Sequence, residues 1–162
     1  MVPELTVRKA TVDDVARILP HLRQVDREEA LAMGWPSVEA GLRASVEASR
    51  DTVRLALING EPLALFGIGP QPGSVGRIGV PWLVGTAKID RNPRLFLRAS
   101  RKYLKRLSGG FDLLVNQVAA ANTPAIRWLQ WLGFSLDTPV SLGPYRTPFC
   151  RFHLQVGCRP CA

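Results

Sequence analysis

Leu113–Leu136, LLVNQVAAANTPAIRWLQWLGFSL, is the stretch whose reading decides the fold. Leu113, Leu114, Val115 and Val118 make a short apolar run bounded by turn formers, which suits a buried strand better than a lone helix. Asn122 then caps a helix: its side-chain oxygen can accept from the first-turn amides, and Pro124 falls where a missing N–H costs little. Ala125, Trp128, Leu129 and Leu132 recur at helical spacing and give this helix an apolar face. Gly133 supplies the left-handed stop, and Phe134 opens the next extended segment. The unit is strand, capped helix, glycine stop, strand, with an asparagine displayed at the strand-to-helix junction.

Upstream, Asn92 caps a long helix that runs to Leu107 and ends at Ser108-Gly109-Gly110. Val80–Thr86 before it reads as a strand that Pro81 confines to a sheet edge or makes begin at Trp82. Gly69–Gly79 reads as an irregular Gly/Pro-rich loop. Thr52–Ile58 and Pro62–Ile68 are strand-like, joined by the hairpin signal Asn59-Gly60. At the N-terminus Leu5–Lys9 alternates as a half-buried strand. Thr11 with Asp14 is a capping-box-like start for an amphipathic helix through Val12, Val15, Ile18, Leu19 and Leu22, which Pro20 bends or ends. A second helix, Asp26–Met33, stops at Gly34, and Ser37 caps a third, Val38–Ser49. Downstream come a Pro/Gly-rich crossover, Pro139–Pro148, and a last strand, Phe149–Val156. This order predicts an α+β (α/β) fold: a mixed, mostly antiparallel central sheet with helices on both faces, in which two β–α–β units force some parallel pairing. No linker divides the chain, so residues 1–162 read as one domain with a short cysteine-containing tail at 157–162.

A hydrophobic share of 46% and a charged share of 21% are those of an ordinary globular protein. No apolar run approaches the roughly 20 residues of a membrane span, and MVPELTVRKA lacks the apolar core of a signal peptide. Cys150, Cys158 and Cys161 are an odd number without a framework spacing, which argues against a disulfide scaffold. The last two have metal-like spacing, but alternation along a strand points Cys150 and His153 to opposite faces, so no metal site is expected. Charge is uneven: residues 1–61 hold eight basic and ten acidic residues, net −2, whereas 62–162 hold thirteen and three, net +10. Arg94, Arg98, Arg101 and Lys105 form a stripe along the long helix. It reads either as a solvated face or as a contact for an anionic partner such as an acidic protein surface. Tyr103 is the only aromatic interleaved with the stripe's later half, so sequence-specific nucleic-acid binding is not expected. Capping alone explains Asn122, and packing alone explains Trp128 and Trp131.

The pattern N-x-x-A-x-x-x-x-x-x-x-G-F at Asn122–Phe134, following an apolar strand, resembles the C-terminal motif of the Gcn5-related N-acetyltransferases (GNATs), and the element order is similar over nearly the whole chain. The resemblance implies acetyl-CoA held where Val80–Thr86 and Leu113–Val118 splay apart, with Leu83, Val84, Gly85, Arg94, Asn122 and Ala125 at the positions that would hold it. It also exposes departures. WLVGTAKIDRN, residues 82–92, has one glycine and no G-x-G to let backbone approach a pyrophosphate. The position where active members commonly carry a proton-donating tyrosine is Leu129. After Glu61 the only acids are Asp90, Asp112 and Asp137, and Tyr145 or His153 can substitute only if the fold brings them to the cleft.

More narrowly, PWLVGT, RNPRLFLRASRKYLKRL, the asparagine motif and GPYRTPF together look like phage proteins related to the podovirus internal virion protein. The expectation drawn from both resemblances is a catalytically degenerate phage protein in the virion or the host cytoplasm. It would need no cofactor and would dock through its basic helix face onto an acidic surface or other virion proteins, and an oligomer is compatible with it. Acetyl-CoA is then expected not to raise the melting temperature. The alternatives are a working acetyl-CoA-dependent N-acetyltransferase acting on an amine of a protein or small molecule, and a phage factor acting on a host protein.

Overall fold

A computed structural model describes residues 2–157. In chain order the elements are β1 (Leu5–Lys9), α1 (Asp13–Ile18), a 3-10 turn, α2 (Gln24–Ala32), α3 (Val38–Ala48), β2 (Arg54–Ile58), β3 (Glu61–Pro70), β4 (Ile78–Gly85), α4 (Lys88–Arg91), α5 (Pro93–Leu107), a second 3-10 turn, β5 (Leu113–Ala119), α6 (Thr123–Leu132), β6 (Ser135–Leu136), β7 (Val140–Leu142) and β8 (Thr147–Gln155). The strands form one sheet in the order β1-β2-β3-β4-β5-β8-β6, with β7 also paired to β8. Neighbours are antiparallel except β4 and β5. The second β–α–β unit therefore yields no direct parallel pair, because β8 inserts between β5 and β6.

The helices divide between the two faces, as amphipathic helices against a two-sided sheet must. Val15, Ile18, Leu42 and Val46 of α1 and α3 pack with Leu55 and Leu65 of the sheet. On the other face Leu104 and Leu107 of α5 and Leu129 of α6 pack with Leu114, Val118, Cys150 and Phe152. Local signals explain the ends. Ser37 Oγ accepts from Ala40 N at 3.1 Å, Asn122 Oδ1 from Ala125 N at 3.3 Å, and Gly133 sits at φ +104°. Asn59 and Gly60, both with positive φ, turn the β2–β3 hairpin. At α1 only half of the capping box forms: Thr11 N donates to the Asp14 carboxylate at 2.9 Å, and the helix ends at Ile18, ahead of Pro20.

Two strand expectations are corrected. β3 extends to Pro70 and β4 begins at Ile78, so the expected long loop shrinks. β4 also runs through Pro81, inside the sheet rather than at its edge. Pro81 O accepts from Asn116 Nδ2 at 2.7 Å, so this residue's backbone groups face β5, not β3. A missing N–H on that side breaks no ladder bond, because β4 pairs β5 only at Ile78↔Leu113 and Gly79↔Leu114. Cys150 is buried, as its strand position predicts, and Cys158 and Cys161 lie outside the described residues.

Candidate functional site

β4 and β5 touch at one end and part at the other. At Gly79 a Cβ would lie 2.7 Å from Ile68 Cγ2 and 2.9 Å from Leu114 Cδ2, so only glycine allows the strands to meet there. Beyond it no ladder joins them. The Asn116 side chain reaches across to Pro81 O instead, and strand alternation turns the N–H and C=O of Leu83 towards the same gap. The gap opens into a cleft of about 760 Å³ lined from both faces of the sheet. Glu29, Met33 and Trp35 line it on the α2–α3 side, and Phe96, Ser100 and Tyr103 of α5 on the other. The splay is thus a passage through the sheet.

The acids missing from the C-terminal half arrive from α2, where Asp26 and Glu29, three residues apart, lie on one helix face. Asp26 is buried; its Oδ2 accepts from Gly85 N at 2.9 Å and from Arg23 Nε at 3.0 Å, while Arg23 N donates to Gly85 O at 3.0 Å. This latch ties the start of α2 to the end of β4. Glu29 Oε1 accepts from Ala119 N at 2.9 Å and from Asn122 Nδ2 at 3.1 Å. Burial pushes the Glu29 carboxyl above the usual range, against the opposing pull of those two donors.

Each residue singled out from the sequence now has a position. Asn122 is the helix cap expected of it, through Oδ1, and its Nδ2 also donates to the cleft acid Glu29, a contact the sequence did not suggest. Ala125 spends its N–H on that cap. Val84 packs its side chain towards α1 and α3, and Leu83 packs towards Leu95 and Phe96. Gly85 has both backbone groups engaged by α2, and a Cβ on it would overlap Ile89 Cδ1, so its smallness serves packing rather than an open approach. The segment that carries glycines in the family pattern here folds as α4, Lys88–Arg91, and Arg94 lies exposed in the first turn of α5.

Leu129 is core, 6% exposed. Tyr145, at the tip of the β7–β8 hairpin, is 75% exposed, and His153 faces out from β8 with Asp137 Oδ1 at 4.0 Å. Neither lines the cleft, because the hairpin tip and the outer face of β8 lie away from the β4–β5 gap; the fold does not give them the role that depended on it. Arg98 and Lys105 point to solvent, while Arg101 stacks over the Trp131 ring at 3.9 Å. None of the four stripe residues forms an ion pair among the described residues. Also among the described residues, no cluster of three or more His, Cys, Asp or Glu side chains is arranged to hold a metal ion.

The residues that sequence reasoning missed are Asp26, Glu29 and Asn116. A signal existed: Asp26, Glu29 and Met33 share one face of a helix, a place where a lone surface helix would put apolar residues.

Solved structures match this architecture over nearly its whole length. A putative acetyltransferase (yncA) from Salmonella typhimurium, solved with its cofactor acetyl-CoA, superposes with a TM-score of 0.70 at 21% identity, covering 97% of this chain and 96% of that one. An acetyltransferase of the GNAT family from Streptococcus pneumoniae gives 0.64 at 20% identity over 95% and 100% of the two chains. The ribosomal-protein-S18-alanine N-acetyltransferase from Escherichia coli gives 0.65 at 15% identity over 98% and 99%. The chain has the GNAT fold. No protein-family model and no curated protein matches the sequence, so the likeness rests on structure. These GNAT structures are bacterial, and they lend nothing to the narrower podovirus resemblance. No helix among the described residues is long and apolar enough to cross a membrane.

Proposed function

We propose that this protein is an acetyl-CoA-dependent N-acetyltransferase. The observation that carries the reading is the passage through the sheet at the β4–β5 splay, lined by Glu29 on the α2 side and by Phe96, Ser100 and Tyr103 on the α5 side. The exposed cations Arg91, Arg94 and Arg98 lie outside the cleft on α4 and α5, the elements of that second side, and suit the anionic part of a cosubstrate that projects from it. The donors and acceptors within the gap fit the cofactor. An extended, amide-bearing arm can pair with the strand groups of Leu83 and the Asn116 side chain much as another strand would. Phosphates would rest on Arg91, Arg94 and the first turn of α5 rather than on a glycine loop, since α4 fills that position.

Bound acetyl-CoA would supply an acetyl group as a reactive thioester. This chain's residues hold the two reactants on opposite sides of one opening and keep bulk water from the gap with Trp82, Leu83 and Phe96. Leu129 offers no proton, and Tyr103 is the phenol that lines the same cleft. The expectation of degeneracy rested on the missing G-x-G, on Leu129 and on the scarcity of acids after Glu61, and Glu29 on the cleft answers the last of these. Titrating acetyl-CoA while following the melting temperature tests the proposal. At a hundredfold excess over its dissociation constant the ligand stabilises by about 2.7 kcal/mol. No upward shift, together with no bound CoA in native mass spectrometry, overturns the reading.

The unpaired cations of α5 support a second role, docking of an acidic protein partner on Arg98, Arg101 and Lys105, independent of catalysis. Reversing Arg98 and Lys105 to glutamate should abolish such capture, and unchanged capture removes this role.

A further inference from the structure

We propose that Glu29 is the proton acceptor of this site and the counter-charge for its substrate, a primary amine that enters on the α2–α3 side with an apolar or aromatic body lying along Met33, Trp35 and Trp82. The inference rests on the acetyltransferase reading and adds to it the residue and the substrate class. Glu29 is oriented as a base must be. Ala119 N and Asn122 Nδ2 both fasten Oε1, and no hydrogen bond among the described residues engages Oε2. Among the described residues no buried side-chain oxygen or nitrogen is left without a partner, so Oε2 is not sealed in the protein, and the residue lines the cleft. One oxygen positions the carboxylate and the other is free to work.

The second acid of the cleft is not available in the same way. Asp26 is held by Arg23 and by Gly85 N, which leaves Glu29 as the acid of α2 that lines the cleft without a cationic partner among the described residues. The other charged or titratable groups on the cleft are Asp90 and Tyr103, on the far side of the sheet, while β4, β5 and the start of α6 present only neutral groups, among them Trp82, Asn116, Gln117 and Asn122. An ammonium entering from the α2 side therefore meets one uncompensated carboxylate, set in a wall that is otherwise apolar. Met33 lies one helical turn beyond Glu29 on the same face, and the Trp35 ring lies flat on Gly41, where a Cβ would come 2.9 Å from its Cγ. These walls fit a carbon chain or ring better than a second charge.

The proton balance follows. An ammonium nitrogen loses two protons on becoming an amide. Glu29 takes the first and returns it to water. The second leaves as the C–N bond forms and the thioester's C–S bond breaks, and it ends on the departing sulfur. The elevated affinity of the Glu29 carboxyl for protons, a result of burial, makes it a better acceptor near neutral pH than an exposed glutamate.

Glu29→Gln keeps the size and both anchoring bonds and removes the acceptor. With tryptamine as the probe amine, the variant should keep the acetyl-CoA melting shift and lose about 10²–10³-fold in acetylation rate along with the acid limb of the pH profile, and Glu29→Asp should recover part of it. In carboxyl 13C NMR of the wild type, the Glu29 resonance should titrate above the ordinary glutamate range and move when tryptamine is added. Undiminished turnover by Glu29→Gln, a Glu29 signal that ignores tryptamine, or acetyl-CoA binding without turnover of tryptamine overturns the inference while leaving acetyl-CoA binding intact. Absence of the melting shift in the wild type sinks the acetyltransferase reading instead, and the NMR response then still decides whether Glu29 meets an amine.

Discussion

α2 and α5 flank the same opening from opposite faces of the sheet, and they treat charge in opposite ways. α2 turns Asp26 and Glu29 inward and fastens both to backbone amides, of Gly85 in one case and Ala119 in the other. α5 turns Arg94, Arg98 and Lys105 outward with no acid to meet them among the described residues, and its other cations lie over aromatic rings, Arg101 over Trp131 and Lys102 and Arg106 over Tyr103. A charge fixed by buried donors is coupled to the fold, so removing it unsettles whatever it held. A charge left in water is nearly independent of the fold, so removing it alters only long-range attraction.

Substitutions measure how sharp this contrast is. The largest effect should come from Asp26→Ala, which leaves the Gly85 N–H and the Arg23 guanidinium without their acceptor. It should cost about 2–4 kcal/mol in urea denaturation, and a loss below about 0.5 kcal/mol breaks the comparison. Asn122→Ala removes a cap and a bond to Glu29 together and should cost about 1–2 kcal/mol, whereas Asn122→Ser keeps the cap and should recover most of it. A pH series on Glu29→Gln follows. A carboxyl whose proton affinity is higher in the folded state favours folding at low pH, and that contribution is lost as pH rises through its folded value. The stability of Glu29→Gln relative to wild type should therefore climb with pH above the ordinary glutamate range and then level off; a flat difference contradicts the burial argument. Arg98→Glu with Lys105→Glu should be the mildest, within about 0.5 kcal/mol of wild type at moderate salt. A larger loss would mean that α5 is as tied to the fold as α2.

Much of the architecture was legible because its signals are local. Asn122, Gly133, Ser37 and Asn59-Gly60 act within a few residues of themselves, and each is found in its expected place. What escaped depends on contacts between distant segments. Pro81 reads as an edge residue until β5 is seen to leave its side of β4. Gly85 reads as a ligand approach until Asp26 and Ile89 are seen to occupy it. Glu29 lies 93 residues before its partner Asn122, so no spacing rule applied to the motif could find it. The narrowest reading, a phage virion component, rested on the look of several short segments, and the geometry of the site adds nothing to it.

β8 lies inside the sheet, between β5 and β6, although it is the last strand of the described chain to be synthesised. Until it emerges from the ribosome, β5 has one flank open along Leu113–Ala119, and β6 and β7 have nothing to pair with. From the completion of β5 until β8 arrives the nascent chain therefore carries an exposed apolar strand edge, a hazard for mispairing with other chains. Long-range closure of this kind also slows folding. The protein should accordingly depend on chaperones that shield such edges more than its modest size suggests, and ribosome stalling just before β8 should send it into aggregates rather than into a partly working domain.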